Sequence, residues 1–429
     1  MNEPMTAAPV IARTAAELGL AEQFRASPGA AASPARAAAF RRFEAAGLPT
    51  RRVESWHYTD LRVALAKAAP LAAPPDEAAI AAAKDRLAKL PRLAPVRLVL
   101  VNGVFVAALS DRPPVGVALA QPPASPAISS DDPMLALALA LAPAGVAATV
   151  APGAKPPPIE IIHCFVGEGP RAVYSRLAIE IGADASAAFV ERFVGAGAES
   201  QRHASTSIDV AAGGALAHVA AIEDEPGLHV ESEVVRLAER AALDAFGFVG
   251  GGALARRQIF ARLVGEGARI GLAGLGLLDG RRHADTTLEV VHAAPRGESR
   301  EFYRHIVADE ATGVFQGKVI VQPGAQKTDG AMKSQAILLS PDATMNAKPE
   351  LEIFADDVVC GHGATIGALD PEQLFYLQAR GLPPAEAEAM LLEAFGAEAI
   401  SRVADAELAE ALLTLMRDWL ARRGRGRRS

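Results

Sequence analysis

Six short stretches decide the fold: LAIEIGADA (177–185), SIDVAAGGA (207–215), VVRLAERAA (234–242), ARLVGEGAR (261–269), LEVVHAAPRG (288–297) and VIVQPGAQ (319–326). In each, alternating apolar residues stop at a cluster of small, charged or glycine residues. The last large apolar residues before the breaks are Ile181, Val210, Leu237, Val264, Val291 and Val321, separated by 29, 27, 27, 27 and 30 positions. A period in the high twenties, built of strands with no long helical pattern between them, is the signature of a solenoid. Strands this short cannot bury a face alone, so coils stacked about 4.8 Å apart must supply the core. The spacing predicts a mainly β chain whose centre, residues 159–367, is a right-handed parallel β-helix. An antiparallel meander or sandwich with coincidental spacing is the competing architecture.

On either side of this core the pattern becomes helical. Apolar residues recur every three or four positions from Ala15 to Phe24 and from Ala37 to Ala46, and Pro74-Pro75-Asp76 opens a further helix to about Leu90. Val96–Ala108 reads as two short strands split by Asn102-Gly103, a hairpin signal. A proline-rich loop spans 113–126. Downstream, Asp370-Pro371-Glu372-Gln373 has an N-cap aspartate and a proline at the first helical position, giving a helix to Arg380. Pro383-Pro384 opens a second helix ending near Gly396, and Asp405–Arg422 forms a third. The expected division is a helical region over 1–92, connecting strands and loop over 93–158, the β-helix over 159–367, a helical region over 368–423, and a basic tail, 424–429, at the end of ARRGRGRRS, read as solvated and disordered.

Composition narrows the function classes. The 429 residues carry 43 basic and 50 acidic side chains, a formal net charge of −7, with 22% charged and 50% hydrophobic residues. That is an acidic globular chain, without the basic surface of a general nucleic-acid binder. Two cysteines, Cys164 and Cys360, exclude a disulfide framework and a self-contained cysteine cage for zinc. A reducing, cytoplasmic compartment is expected. The first thirty residues are broken by charges and offer no apolar signal region. Met134–Ala142 is continuously apolar, but Pro143, Gly145 and Pro152 interrupt the stretch, so a buried helix from Asp132 to Leu141, then a turn and a strand, is expected rather than a membrane span.

Among residues able to do chemistry, Cys360-Gly361-His362 stands out. If 358–366 is a strand, positions 360 and 362 point to one face, so a thiolate and an imidazole can reach one metal ion. Two ligands do not close a tetrahedral site, so such a site is transient, completed by water or finished by a second chain. A half-buried cysteine beside a hydrogen-bonded histidine is the competing reading. His163-Cys164 lies in the apolar run IEIIHCFV and reads as buried strand, its neighbours pointing to opposite faces. His292, His305, Asp309 and Glu310 read as a solvated turn rather than an acid–base group. GVFQGKVI lacks the spacing of a phosphate-binding loop, and Gly250–Gly252 and Gly271–Gly280 read as tight corners between coils. No catalytic constellation is visible.

Phe302-Tyr303-Arg304, GVFQGKVIV (313–321), AQKTDG (325–330), ILLSPDA (337–343) and KPELEIFADDVVCGHGATIGALDPEQLFYLQARG (348–381) resemble the SufD branch of the SUF iron–sulfur cluster assembly family, as do ESWHYTDLR (54–62) and LVLVNGVFV (98–106). The resemblance spans Glu54 to about Phe395 and agrees with the solenoid. It implies a non-catalytic scaffold subunit that pairs with a homologous SufB-like β-helix subunit and docks a SufC-like ATPase on its C-terminal helices. Cys360 and His362 match the family's Cys-x-His motif at the SufB–SufD interface. The cofactor implied is a transient iron or Fe–S cluster shared with the SufB-like chain, and none is expected to be held permanently. Gly361 stands where the family often carries serine, a change that leaves coordination unaffected. Pro371, Leu374, Phe375, Leu377, Pro384, Met390, Leu391 and Phe395 match the SufC-binding segment. Exposed β-helix edges also permit self-pairing of the isolated chain as a homodimer. A SufB-like paralogue is the near alternative. A polysaccharide-acting β-helix enzyme is a remote one by analogy of fold alone. Neither nucleic acid nor membrane is an expected partner.

Overall fold

The breaks that set the sequence period are one corner, repeated. Gly153, Asp184, Gly213, Arg240, Gly267, Arg296 and Lys327 hold φ between 52° and 69°. Each donates its backbone N–H to a carbonyl one coil further on, in the series Ala183, Ala212, Glu239, Glu266, Pro295, Gln326 and Asp357, at 2.6–3.0 Å. Glycine takes this left-handed conformation freely, whereas Arg240, Arg296 and Lys327 hold it at about 1 kcal/mol each. The stacking bond between coils offsets that cost.

The computed structural model describes residues 13–27, 29–30, 33–128, 130–142, 145–195, 197–223 and 227–426. Its centre is a parallel β-solenoid. Each coil gives one strand to each of two sheets, one of ten strands ending at Val359–Gly367 and one of nine ending at Thr344–Ile353. The sequence period therefore contains two strands, one in each sheet. The residues that stack in register are Ile181, Val210, Leu237, Leu263, His292 and Val321. The expected positions Val264 and Val291 are each one residue out, because the corner after Leu263 begins sooner and His292, not a valine, ends its strand. Inward residues of the coils form one continuous core, from Leu98 to Ala355.

The flanking helices are α1 (Ala15–Ala26), α2 (Pro34–Ala46), the single turn α3 (Leu61–Ala64), α4 (Glu77–Leu87), α5 (Pro133–Leu141), α6 (Pro371–Ala379), α7 (Pro384–Ile400) and α8 (Ala406–Gly426). The apolar stretch is the buried helix α5, capped by Asp132, whose carboxylate accepts from the Met134 and Leu135 amides, and a strand follows at Gly145–Val150. The turn expected between them falls at residues 143–144, outside the described residues. Among the described residues, no helix is long and apolar enough to cross a membrane. The hairpin forms at Asn102 and Gly103, with φ of 49° and 81°, joining antiparallel strands.

Four expectations need correction. Gly271–Gly280 is mostly not a corner: Gly271, Gly274 and Gly276 lie inside the strand Arg269–Leu278, and only Gly280, with φ 61°, turns the chain. A Cβ at Gly274 would stand 2.5 Å from the Tyr303 ring and one at Gly276 would stand 2.7 Å from the His305 ring, so these glycines make room for the next coil's rings. His292 and His305 are not in a solvated turn but buried inside the solenoid, 0% and 2% exposed, whereas Asp309 and Glu310 do form a corner. Gly396 does not stop α7. The helix continues to Ile400, and a Cβ at 396 would sit 2.5 Å from the Met416 methyl, so the glycine lets α7 and α8 approach. Likewise α8 carries helix into the basic tail as far as Gly426; residues 427–429 lie outside the described residues.

Gly274→Ala is expected to destabilise the chain by about 1–3 kcal/mol through overpacking against Tyr303. Gly361→Ala, with nothing within 4 Å of its Cβ, is expected to leave the denaturation midpoint unchanged. Equal midpoints for the two variants would contradict this packing.

Candidate functional site

The last coil is built like the others but left uncovered. In the strand Glu298–Val307 inward residues are buried in alternation, whereas in Val359–Gly367 all but half-buried Cys360 are exposed. That strand ends the ten-stranded sheet, so one row of its backbone groups faces no neighbour in the sheet. Cys360 pairs with Gly330 and His362 with Met332, so both fall in inward-facing columns, on one face as the spacing predicted. Cys360 packs against the end of the core, while His362 is open to solvent. Burial pushes the Cys360 thiol up; the Gly330 amide opposes this, and the Asp329 and Glu301 carboxylates add to it. The thiol therefore keeps its proton at neutral pH, and a metal must displace it to bind. Among the described residues, no three His, Cys, Asp or Glu side chains converge on a metal position. The chain offers a two-donor edge, not a closed site.

The outer faces of both sheets are covered. On the nine-stranded sheet the ESWHYTDLR segment is pinned by a buried polar cluster. Trp56 donates from Nε1 to Asp132 at 2.9 Å, and the Arg256 guanidinium lies 3.7 Å over its ring. Arg256 and Gln316 both donate to the Ser55 carbonyl, at 2.6 and 3.0 Å, and Thr59 meets His283 at 2.8 Å and donates to Asp285. This motif is an anchor, holding the N-terminal region to coils some two hundred residues away.

On the ten-stranded sheet α7 and α8 pack over Phe246, Leu275, Leu277 and Ile306. Arg304 fastens α7: it donates to the Phe395 carbonyl at 2.6 Å and to Gln335 at 3.0 Å, pairs with Glu398, and stacks 4.3 Å over the Phe395 ring. Of the residues matched to a partner-binding segment, Phe375 and Met390 are 73% and 49% exposed. Pro371 and Pro384 are exposed, and Leu374, Leu377 and Leu391 are half-buried. Phe395 is turned to the solenoid and engaged with Arg304. Sequence reasoning missed Arg304 as a latch. Its one signal was a place in the quoted Phe302-Tyr303-Arg304.

His163 and Cys164 do lie in a buried strand with opposite orientations. The sequence did not show that His163 Nε2 reaches Glu191 at 2.8 Å inside the solenoid, with Thr206 and His218 Nε2 on the same carboxylate at 3.0 and 3.2 Å. Burial pushes Glu191 up, but the contacts from His163 and His218 outweigh it and hold the carboxyl below its usual range.

Residues 164–395 match the family described as SUF system FeS cluster assembly, SufBD core domain, and residues 24–121 match the SufBD protein N-terminal region. The chain belongs to the SufBD family. It is similar to the iron-sulfur cluster assembly protein SufD of Escherichia coli, 32% identical over 384 residues, covering 86% of this chain and 88% of that protein. It is also similar to the chloroplastic protein ABCI7 of Arabidopsis thaliana, 33% identical over 187 residues, or 43% of this chain and 39% of that one. A SufBD family protein of Synechocystis is 35% identical over 158 residues, covering 37% of this chain and 35% of its own. The SufBD core match begins at Cys164 and takes in most of the solenoid, the Cys360–His362 edge and most of α7.

Two outcomes follow from this SufBD geometry. Removing the guanidinium in Arg304→Ala is expected to cost about 2 kcal/mol and to speed amide exchange across α7, while the strand Gln201–Val210 is unaffected; unchanged exchange in α7 would contradict the latch. Burial pushes His305 down to about 4, with Asp285 opposing. The folded chain therefore keeps it neutral while the unfolded chain takes up a proton below pH 6.5. Its contribution is present above pH 6.5 and lost as pH falls toward 4. The stability gap between the wild type and His305→Gln should shrink by about 2 kcal/mol from pH 7 to pH 5 in urea titrations.

Proposed function

We propose that this chain is a non-catalytic scaffold subunit of a cytoplasmic iron–sulfur cluster assembly complex. It pairs with a SufB-like subunit through the open end of its solenoid and docks a SufC-like ATPase on α6 and α7. The observation that carries this reading is the last strand: it is edge-exposed, in register with a buried core, and carries a thiol and an imidazole that make half of a metal site. A second chain seated on that edge supplies the missing donors. No cofactor is held permanently; iron or a nascent cluster is cargo shared across the interface. The exposed Phe375 and Met390 support α6 and α7 as the docking face for the ATPase. The 86% of the chain aligned to a protein named SufD favours this role over that of a SufB-like paralogue.

The chain's own residues have separate tasks in this scheme. Cys360 gives up a proton and binds as thiolate, and His362 binds through a neutral ring nitrogen. Arg304 and Phe395 couple α7 to the strand Glu298–Val307, two strands from the site, so ATP-driven movement of the helices reaches the edge through one packed strand.

Mixed with SufB-like and SufC-like partners, the chain should co-elute as a stable complex; a chain that stays alone with both present would remove the scaffold reading. Cys360→Ser and His362→Ala should each still assemble but carry less than half the iron per complex, by metal analysis under anaerobic conditions. Unchanged iron in both variants would remove the ligand claim.

A further inference from the structure

Toward the end of the ten-stranded sheet opposite to Val359–Gly367, α8 and the segment 90–95 stand apart and leave a groove of about 880 Å³. Glu407, Ala411, Thr414, Leu415 and Asp418 form one wall, a spacing that keeps them on one side of the helix. The other side of α8, with Leu408, Leu412, Met416 and Trp419, is buried in the core. The facing wall is fixed from within the solenoid. The Pro91 carbonyl accepts from Arg192 at 2.9 Å and from Arg97 at 3.1 Å, and Glu160 bridges the two guanidinium groups at 3.0 and 2.7 Å. Both walls are therefore held in place before anything binds, and a ligand meets little ordering cost in this chain.

Between the walls the lining is mainly apolar, with Leu90, Leu93 and Leu415 half-buried. Its charges sort into paired and unpaired. Arg92 meets Asp111 at 2.8 Å, Arg192 meets Glu223 at 2.7 Å, and Asp405 caps α8 by accepting from the Leu408 amide at 2.9 Å. Glu407 and Asp418 are exposed and meet no cation among the described residues. They stand eleven positions apart on α8, about 16 Å along its axis. The cations of the groove are thus already neutralised, and the charges left over are negative, one toward each end of an apolar trough.

We propose that this groove docks a helical segment of a partner protein, one that carries two basic residues eleven positions apart with leucine-like residues between them on the same face. Three helical turns separate such residues, which matches the spacing of Glu407 and Asp418. The apolar stripe of the segment covers Leu90, Leu93 and Leu415, as an amphipathic helix fills a groove. The two acidic groups fix its register and select against acidic segments. They also repel phosphate-bearing partners, which makes a protein segment the fitting occupant. The proposal does not rest on the reading of Cys360 and His362, which lie toward the other end of the sheet.

The test uses the full-length chain and a fluorescent alanine–glutamine helical peptide with two lysines eleven positions apart and three leucines between them on the same face, followed by anisotropy. A second peptide carries glutamates in place of the lysines. The wild type should bind the lysine peptide and prefer it to the glutamate one. Glu407→Lys combined with Asp418→Lys should weaken the lysine peptide tenfold or more and reverse the preference. Glu407→Gln combined with Asp418→Asn, which keeps the side-chain shapes, should weaken it threefold or more without gaining the glutamate peptide. No binding by the wild type, equal binding of the two peptides, or unchanged binding in both double variants would overturn the proposal. Self-association of the wild type in sedimentation that both double variants abolish would overturn it as well, by showing that a second copy of this chain fills the groove.

Discussion

Everything in this molecule depends on strands stacking in register, and the left-handed corner with its coil-to-coil hydrogen bond keeps them so. Side chains alternate between the two faces of a strand, so a slip of one residue would exchange the entire interior for the exterior. Seven successive corners make the same bond. Because register is held from coil to coil, Cys360 and His362 fall in the same columns as Ser299 and Glu301, with Gly330 and Met332 between. The shared face of Cys360 and His362 is local to their strand, and its place at the end of the core is a consequence of stacking.

Stacking alone would leave two exposed sheet faces and two open ends. The N-terminal region covers one face through Trp56, Arg256 and Asp132, and α7 and α8 cover the other through Arg304, Phe302 and Phe395. What stays open is the edge at Val359–Gly367. The strand Glu298–Val307 serves both sides, with Arg304 holding the helices on its outer face and Ser299 and Glu301 looking inward.

The interior is unusually polar for a core. His163, Glu191, His218, Glu233 and Arg257 form a buried chain of charged and ring contacts, with Arg257 2.8 Å from Glu233. Such a chain is tolerated because each charge meets an opposite one or a ring nitrogen. Glu301 lies nearest the open end of this interior, beside the Ser299 hydroxyl. Burial pushes Glu231 up to about 8, against the opposing effect of Arg257 nearby.

The amino-acid sequence by itself determined the class of fold, since the 27–30-residue period, the Asn102-Gly103 turn, the Asp132 cap and the Cys-x-His alternation are all local. Each depends on backbone preferences or on which face a side chain takes, and these act over a few residues. What only the tertiary structure decided involves contacts across coils. His292 and His305 look like surface titrating groups until stacking buries them, and Gly274 looks like a turn until the Tyr303 ring of the next coil fills its place. Arg304 has no signal as a latch until α7 lies over it. Glu301 and Gly330 lie 59 and 30 residues before Cys360, beyond the reach of any local pattern; only coils stacked at strand spacing bring the three onto one face of neighbouring strands.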